Sequence, residues 1–82
     1  MKEARTMEKT EIHTEVIELD KLLKWTGAAE TGGQAREMID GGMVTVNGLV
    51  AKERRKKIFP GTVVGVKGKT YVVERDSGKR SV

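Results

Sequence analysis

The sequence predicts an α+β fold in which two short helices pack on a small, mostly antiparallel β-sheet. Three observations support this prediction: two apolar patterns with helical spacing, alternating apolar residues further along the chain, and turn-forming dipeptides between the predicted strands. The 82 residues suffice for one domain, and an apolar content of 37% allows only a thin core.

The first predicted elements are a short strand and an amphipathic helix of about two turns. The strand is expected within residues 10–17, where Ile12 and Val16 would lie on one side. Gly27 is placed to end the helix, because glycine readily takes the left-handed conformation that closes a helix. Trp25, near this end, is expected to pack on the core. The apolar face of the helix is formed by Leu19, Leu22 and Leu23.

A capping box predicts the start of the second helix. Thr31 is followed three residues later by Gln34, and in such a pair each side chain satisfies a backbone N–H of the opening turn. Gly41 and Gly42 are expected to end this helix. Its apolar face is formed by Ala35, Met38 and Ile39.

Strands are predicted for most of the remaining chain. Asn47 and Gly48 are typical of a hairpin turn, because both residues tolerate positive φ. This turn would join a strand around residues 44–46 to a strand that begins at residue 49. A further turn is expected at Pro60 and Gly61. The last pair of strands is expected at residues 63–66 and 71–73, about the turn at residues 67–69.

These elements predict one domain at residues 10–73. The segments on either side, residues 1–9 and residues 74–82, are polar and are expected to be flexible. No internal repeat or low-complexity tract is visible, and no apolar run approaches the roughly 18 residues that a membrane helix needs.

Positive charge is concentrated in residues 52–57, which we call the basic segment. The net charge of the whole chain is +4, yet the first twenty residues carry three basic and six acidic side chains. The basic segment alone holds five basic residues and one acidic residue. Such a distribution favours a polyanionic partner, although a charge run can also be no more than a solvated surface. If the segment is extended, Lys52, Arg54 and Lys56 would share one face.

The sequence lacks the residues that disulfides, a thiolate metal site, a P-loop or acid–base catalysis would require. The chain has no cysteine, which excludes disulfides and thiolate ligands, and His13 is the only histidine. Residues 67–70 read K-G-K-T, but the glycine that a P-loop needs five places before Gly68 is Val63, and a strand is expected to follow. No carboxylate pair has surroundings suited to acid–base work. We therefore expect neither an enzyme nor a cofactor, a metal site or a small-molecule substrate.

The order of these elements resembles the alpha-L RNA-binding motif, the small domain first known from ribosomal small-subunit protein four. The matching stretch covers residues 19–66 and includes L-D-K-L-L at 19–23, Q-A-R-E-M-I at 34–39, G-M-V-T-V-N-G at 42–48 and the turn at Gly61. The sequence T-G-G-Q-A at 31–35, together with the basic segment, is similar to small bacterial members in which the domain is nearly the whole protein.

The resemblance implies a protein that binds RNA, with ribosomal RNA or a ribosomal particle as the expected target. The small number of aromatic residues favours structured or double-stranded RNA, the absence of cysteine favours the cytoplasm, and we expect a monomer. Its contacts would come from the first turns of the second helix and from the basic segment. Arg36 could instead form a surface ion pair with Asp40, four residues later. The implied RNA-binding residues are Thr31, Gln34, Arg36, Lys52, Arg54, Arg55, Lys56 and Lys57.

Other functions remain open at this stage. The sheet edge and the acidic first twenty residues could serve a protein-interaction or assembly adaptor, and charge alone does not distinguish RNA from DNA. Three aromatic residues argue against binding a single strand through stacked bases, since that mode needs several aromatic platforms. Trp25 could still stack on one base as an alternative to packing in the core.

Overall fold

The structure, a computed structural model, describes residues 6–76. Two helices cover one face of a sheet of five strands, and a separate two-stranded ladder lies beside them. The helices are α1 (Leu19–Thr26) and α2 (Gly32–Asp40). The strands are β1 (Thr6–Ile12), β2 (Ile17–Glu18), β3 (Val44–Val46), β4 (Leu49–Val50), β5 (Lys57–Ile58), β6 (Val63–Val66) and β7 (Lys69–Arg75).

The predicted fold class is confirmed. The five-stranded sheet has the order β1-β7-β6-β3-β4, and each of its neighbouring pairs is antiparallel except β1 with β7. In that parallel pair Thr6 faces Lys69 and Ile12 faces Arg75. Strands β2 and β5 form the second, antiparallel ladder.

Local signals place the turns where they were predicted. Asn47 and Gly48 have φ values of 52° and 87° and join β3 to β4. Gly27 ends α1 with a φ of 85°, and its N–H donates to the carbonyl of Lys24. Positive φ suits glycine and asparagine better than other residues, so the chain reverses at these points with little strain.

The core lies between the helix pair and the sheet. The three leucines of α1 are fully buried, and no polar or charged side chain is buried in the described part of the chain. Each large apolar side chain stabilises the fold by roughly 1.5–3 kcal/mol when fully buried. The largest fully buried side chains are Ile12, Leu19, Leu22, Leu23, Ile39, Val44, Ile58, Val64 and Val73.

One expectation about the first elements is confirmed in part, and another was wrong. The strand expected within residues 10–17 is present as far as Ile12, as the end of β1; beyond it Thr14 donates its hydroxyl to the carbonyl of Val16 at 2.7 Å and the chain bends. Trp25 does not pack in the core, since 52% of its surface is exposed. Its indole N–H donates to the carbonyl of Glu11 at 2.7 Å, a bond made at the edge of the core.

The strands extend past the predicted domain boundaries. Strand β1 begins at Thr6, and β7 continues to Arg75, because these two strands pair with each other along their whole length. The outer parts of the two segments predicted to be flexible, residues 1–5 and 77–82, lie outside the described residues.

Candidate RNA interface

The basic segment forms a turn that closes the N-terminus of α1. The N–H of Lys56 donates to the carbonyl of Glu53 at 3.4 Å, so the segment is not extended and its side chains do not alternate between two faces. The N–H groups of Leu19 and Asp20 donate to the carbonyls of Lys56 and Arg54, at 2.9 Å and 3.0 Å. These bonds satisfy two of the four N–H groups that a helix leaves without a partner at its start. They hold the segment in a turn, and the extended conformation considered from the sequence is not formed.

Both arginines of the basic segment are held by carboxylates. Arg54 donates from Nε and Nη2 to the two carboxylate oxygens of Asp40, at 3.1 Å and 2.7 Å. These hydrogen bonds lower the pKa of Asp40, with a further contribution from the charges of Arg54 and Arg36, and they raise the pKa of Arg54. Arg55 contacts Glu18 at 3.4 Å. Asp40 therefore pairs with Arg54, and the ion pair considered between Arg36 and Asp40 is not formed.

The lysines of the segment are open to solvent. The side chains of Lys52, Lys56 and Lys57 are exposed and have no carboxylate within ion-pair distance among the described residues. Lys52 and Lys56 line the same open groove of about 400 Å³ beside the β3–β4 hairpin. An ammonium group in this position attracts an anion without first breaking an internal ion pair.

The N-terminus of α2 has a side-chain cap and two open N–H groups. Thr31 Oγ1 accepts from the N–H of Gln34 at 3.0 Å, as the capping box predicts. Gln34 Oε1 accepts from the N–H of Glu30 at 2.6 Å, one residue earlier than expected. No hydrogen bond within the described residues uses the N–H groups of Gly32 and Gly33, and the first turn carries no acidic residue. Open N–H groups and the positive end of the helix dipole favour an anion here.

The predicted site residues fall into two groups at opposite ends of the helix pair. Arg54 accepts from the start of α1 through its carbonyl and binds the last residue of α2 through its side chain, so these two helix ends meet. Thr31 and Gln34 lie at the other end of α2, about 13 Å away for a nine-residue helix. Arg36 is exposed between the two groups, one turn into α2.

The sequence interpretation missed the residues that organise this site. Glu18 and Asp40 were not identified as partners of the arginines, and the carbonyls of the basic segment were not identified as the cap of α1. One signal was available: Glu18 precedes α1 where Ser, Thr, Asp or Asn is usual, and it makes no side-chain cap. A helix that lacks its own cap needs acceptors from elsewhere in the chain.

Within residues 6–76, no group of three or more His, Cys, Asp or Glu residues is arranged to hold a metal ion. The described helices are also too short and too polar for any of them to cross a membrane.

Comparison with known proteins relates this arrangement to a family. A family model described as the S4 domain matches residues 10–74. No curated protein matches the chain. Among solved structures, heat shock protein 15 of Vibrio cholerae, described as trimeric, is 32% identical with a TM-score of 0.67, over 83% of this chain and 72% of that one.

Two further structures share the fold. YbcJ of E. coli, described as having an alpha-L motif involved in RNA binding, is 35% identical with a TM-score of 0.58, over 88% of this chain and 90% of that one. The 30S ribosomal protein S4e of Thermoplasma acidophilum is 16% identical with a TM-score of 0.53, over 70% of this chain and 30% of that one, and it supports the fold alone. The resemblance to the alpha-L motif is thereby confirmed, and the chain belongs to the S4 domain family.

Proposed function

We propose that this protein is a non-catalytic RNA-binding protein of the cytoplasm that recognises structured RNA, with ribosomal RNA or a ribosomal particle as its target. The observation that carries the proposal is the open state of three lysines in the basic segment, Lys52, Lys56 and Lys57. The free N–H groups of Gly32 and Gly33 add a second anion site on the same helix pair. No cofactor or metal enters this proposal, and the protein acts as a monomer.

Phosphate contacts suit this arrangement better than base contacts. Lysine acts as a mobile point charge, which attracts phosphate oxygens without reading a base. Arg54 ties the basic segment to the end of α2, and Gly32 and Gly33 lie at the start of this helix, which is about 13 Å long, so one RNA helix can contact both anion sites through its backbone. RNA is favoured over DNA because the related YbcJ is described as having a motif involved in RNA binding.

The arginines have a different role in this proposal from the one first expected. Because Arg54 and Arg55 are engaged by Asp40 and Glu18, a phosphate has to compete with a carboxylate for them. We therefore assign Arg54 mainly to holding the basic segment between the two helices. The lysines then supply most of the salt-dependent affinity, with Thr31, Gln34 and Arg36 contacting the RNA further along α2.

A charge-matched pair of double variants tests the proposal. Lys52→Ala with Lys56→Ala removes two open cations from the basic segment. Lys9→Ala with Arg75→Ala removes the same charge from β1 and β7 at the other side of the sheet, four and three strand spacings, or about 19 Å and 14 Å, from β4. Binding to an RNA duplex and to a DNA duplex of the same sequence would be measured by filter binding across a salt series.

The expected results differ between the two variants. Each lost phosphate contact lowers the log–log salt slope by about 0.7–0.9, so the Lys52/Lys56 variant should lose about 1.5 while the control changes little. RNA should bind more tightly than DNA at each salt concentration. Equal losses in both variants would show that only net charge matters, and no binding of wild type to RNA at low salt would overturn the proposal.

A protein-interaction adaptor is the second candidate. Strand β4 forms one edge of the sheet, and its two residues Leu49 and Val50 are 75% and 50% exposed. Exposed apolar residues on an unpaired edge favour pairing with another chain. If this is the function, a partner recovered from cell extract should remain bound after nuclease treatment and should be lost when Leu49 is changed to Lys. It should be unaffected in the Lys52/Lys56 variant.

A further inference from the structure

Trp25 is a large aromatic side chain held in a fixed position outside the core. Half of its surface is exposed, although its indole N–H is bonded to the carbonyl of Glu11. The ring also meets His13 edge to face, with centroids 5.7 Å apart and an angle of 89° between the planes. These two contacts restrain the orientation of the indole, so its exposed part is a preorganised surface.

The exposed side of Trp25 faces a groove with two lysines. The groove has a volume of about 460 Å³ and is lined by Ile17, Lys21, Lys24 and Trp25. Lys24 has no carboxylate within ion-pair distance among residues 6–76, and Lys21 lies 3.7 Å from Glu18. An aromatic surface beside exposed ammonium groups combines the two features that a nucleotide needs, a partner for the base and a partner for the phosphate.

The carboxylate of Glu18 links this groove to the basic segment. One oxygen of Glu18 contacts Lys21 and the other contacts Arg55, at 3.7 Å and 3.4 Å. Glu18 is also the strand partner of Lys57 in the β2–β5 ladder. A strip of cations therefore runs from the basic segment along the start of α1 and ends at Trp25.

We propose that Trp25 stacks on one unpaired nucleobase next to an RNA duplex, such as a bulged or overhanging nucleotide, whose phosphate lies between Lys21 and Lys24. This inference rests on the proposed function and adds a subsite to it. The duplex lies on the basic segment, and the strip of cations guides its backbone to the groove. One aromatic surface accommodates one base, so the subsite is compatible with the scarcity of aromatic residues.

The chain contains a single tryptophan, which makes wild-type fluorescence a direct probe. The protein would be titrated with a blunt RNA duplex and with the same duplex carrying a short overhang of adenines. We expect strong quenching of Trp25 only by the overhang. We also expect the overhang to tighten binding by about fivefold to a hundredfold, the range for one base stacked on an aromatic ring. Free tryptophan amide corrects for absorption by the RNA.

Two variants complete the test. Trp25→Ala should bind the blunt duplex as wild type does and should lose the advantage of the overhang. Trp25→Phe should keep part of it, because the phenyl ring still offers a face. A thermal melt of each variant checks that it folds. If a variant does not fold, quenching of Trp25 in the wild type still tests the proposal.

The outcomes separate this inference from the proposed function. If wild type binds both duplexes equally and neither quenches Trp25, the stacking subsite is wrong and the duplex-binding function stands. If neither RNA binds at low salt, the proposed function fails and the subsite fails with it. A protein ligand that quenches Trp25 where RNA does not would likewise overturn the stacking proposal.

Discussion

The two helices of this protein begin in opposite ways. At the start of α1, the carbonyls of Arg54 and Lys56 occupy two N–H groups, and Asp20 places a carboxylate in the first turn. At the start of α2, Gly32 and Gly33 keep their N–H groups open, and the first turn has no acidic residue. The N-terminus of each helix carries the positive end of its dipole. At α1 the N–H groups are occupied by carbonyls of the chain, and at α2 they remain available.

The comparison shows how the same backbone N–H groups can stabilise the fold at one helix and remain available to an anion at another. At the start of α1 the N–H groups stabilise the fold, because they hold the basic segment in its turn. The start of α2 is stabilised by a side chain, Thr31, which leaves room for an anion beside it. Variants at each end should therefore affect stability and RNA affinity in different proportions.

Among single substitutions at the helix ends, Gly32→Asp should give the largest effect on RNA binding. A Cβ at Gly32 meets no atom within 4 Å, so the substitution fits, and a carboxylate in the first turn favours the helix dipole. The melting temperature should stay the same or rise, while repulsion of phosphate should lower the salt slope by about 1 and weaken RNA binding. Thermal melts and filter binding would measure both.

Gly32→Ala is the matched control for this change. It adds a Cβ and restricts the backbone without adding charge, so RNA binding should be close to wild type. If Gly32→Asp binds RNA as well as Gly32→Ala, the N-terminus of α2 is not a phosphate site.

Thr31→Ala should give the next largest effect, a loss of thermal stability. The hydroxyl of Thr31 caps α2, and loss of such a cap costs about 1 kcal/mol. For a domain of this size that lowers the melting temperature by about 4–8 °C. Glu18→Gln at the equivalent position of α1 should change it far less, because Glu18 makes no side-chain cap. Equal effects of the two substitutions would contradict the difference between the helix ends.

Asp40→Asn should strengthen RNA binding, by less than Gly32→Asp weakens it. The substitution weakens the hold on Arg54, so the arginine becomes available to a phosphate and the salt slope should steepen by at most about 0.9. Glu74→Gln removes one negative charge on β7, where Glu74 pairs with Lys9 of the edge strand β1, and serves as the control. If both variants gain equally, release of Arg54 is not the cause.

The ion pair of Asp40 with Arg54 should give the wild type a weak dependence of stability on pH, which Asp40→Asn removes. The folded state lowers the pKa of Asp40 through its hydrogen bonds with Arg54, so the ionised form stabilises the fold at pH values above the unfolded pKa of about 3.9. This contribution is lost as the pH falls through the lower pKa of the folded state. The difference in melting temperature between wild type and Asp40→Asn should therefore shrink in acid. The effect is small because both side chains are exposed.

The parts of the fold that follow from neighbouring residues could be predicted from sequence. Asn47 with Gly48 and the glycine after α1 have conformational preferences that hold in almost any context, and the structure confirms both turns. The pairing of β1 with β7 could not be predicted, because Thr6 and Lys69 are 63 residues apart and neither strand specifies its partner. The position of Trp25 was missed for a similar reason, since its acceptor lies on β1.

The charge of the candidate site could be predicted from its residue types, but its ion pairs could not. The excess of positive charge in residues 52–57 is visible in the sequence, but which cations remain open depends on carboxylates elsewhere. Arg54 meets Asp40 across 14 residues, and Arg55 meets Glu18 across 37. For Asp40, the sequence suggested the nearer Arg36, four residues away on the same helix.

The pairing of β1 with β7 has a consequence for the order in which the protein assembles. Strand β1 has a single neighbour in the sheet, and that neighbour, β7, follows the other described strands in the chain and leaves the ribosome after them. A nascent chain that has emerged as far as Val66 already contains both helices and the basic segment, while the edge of β1 has no partner. The half of the domain that carries the two helices and the basic segment is therefore complete in sequence before the sheet can close, and closure waits for β7.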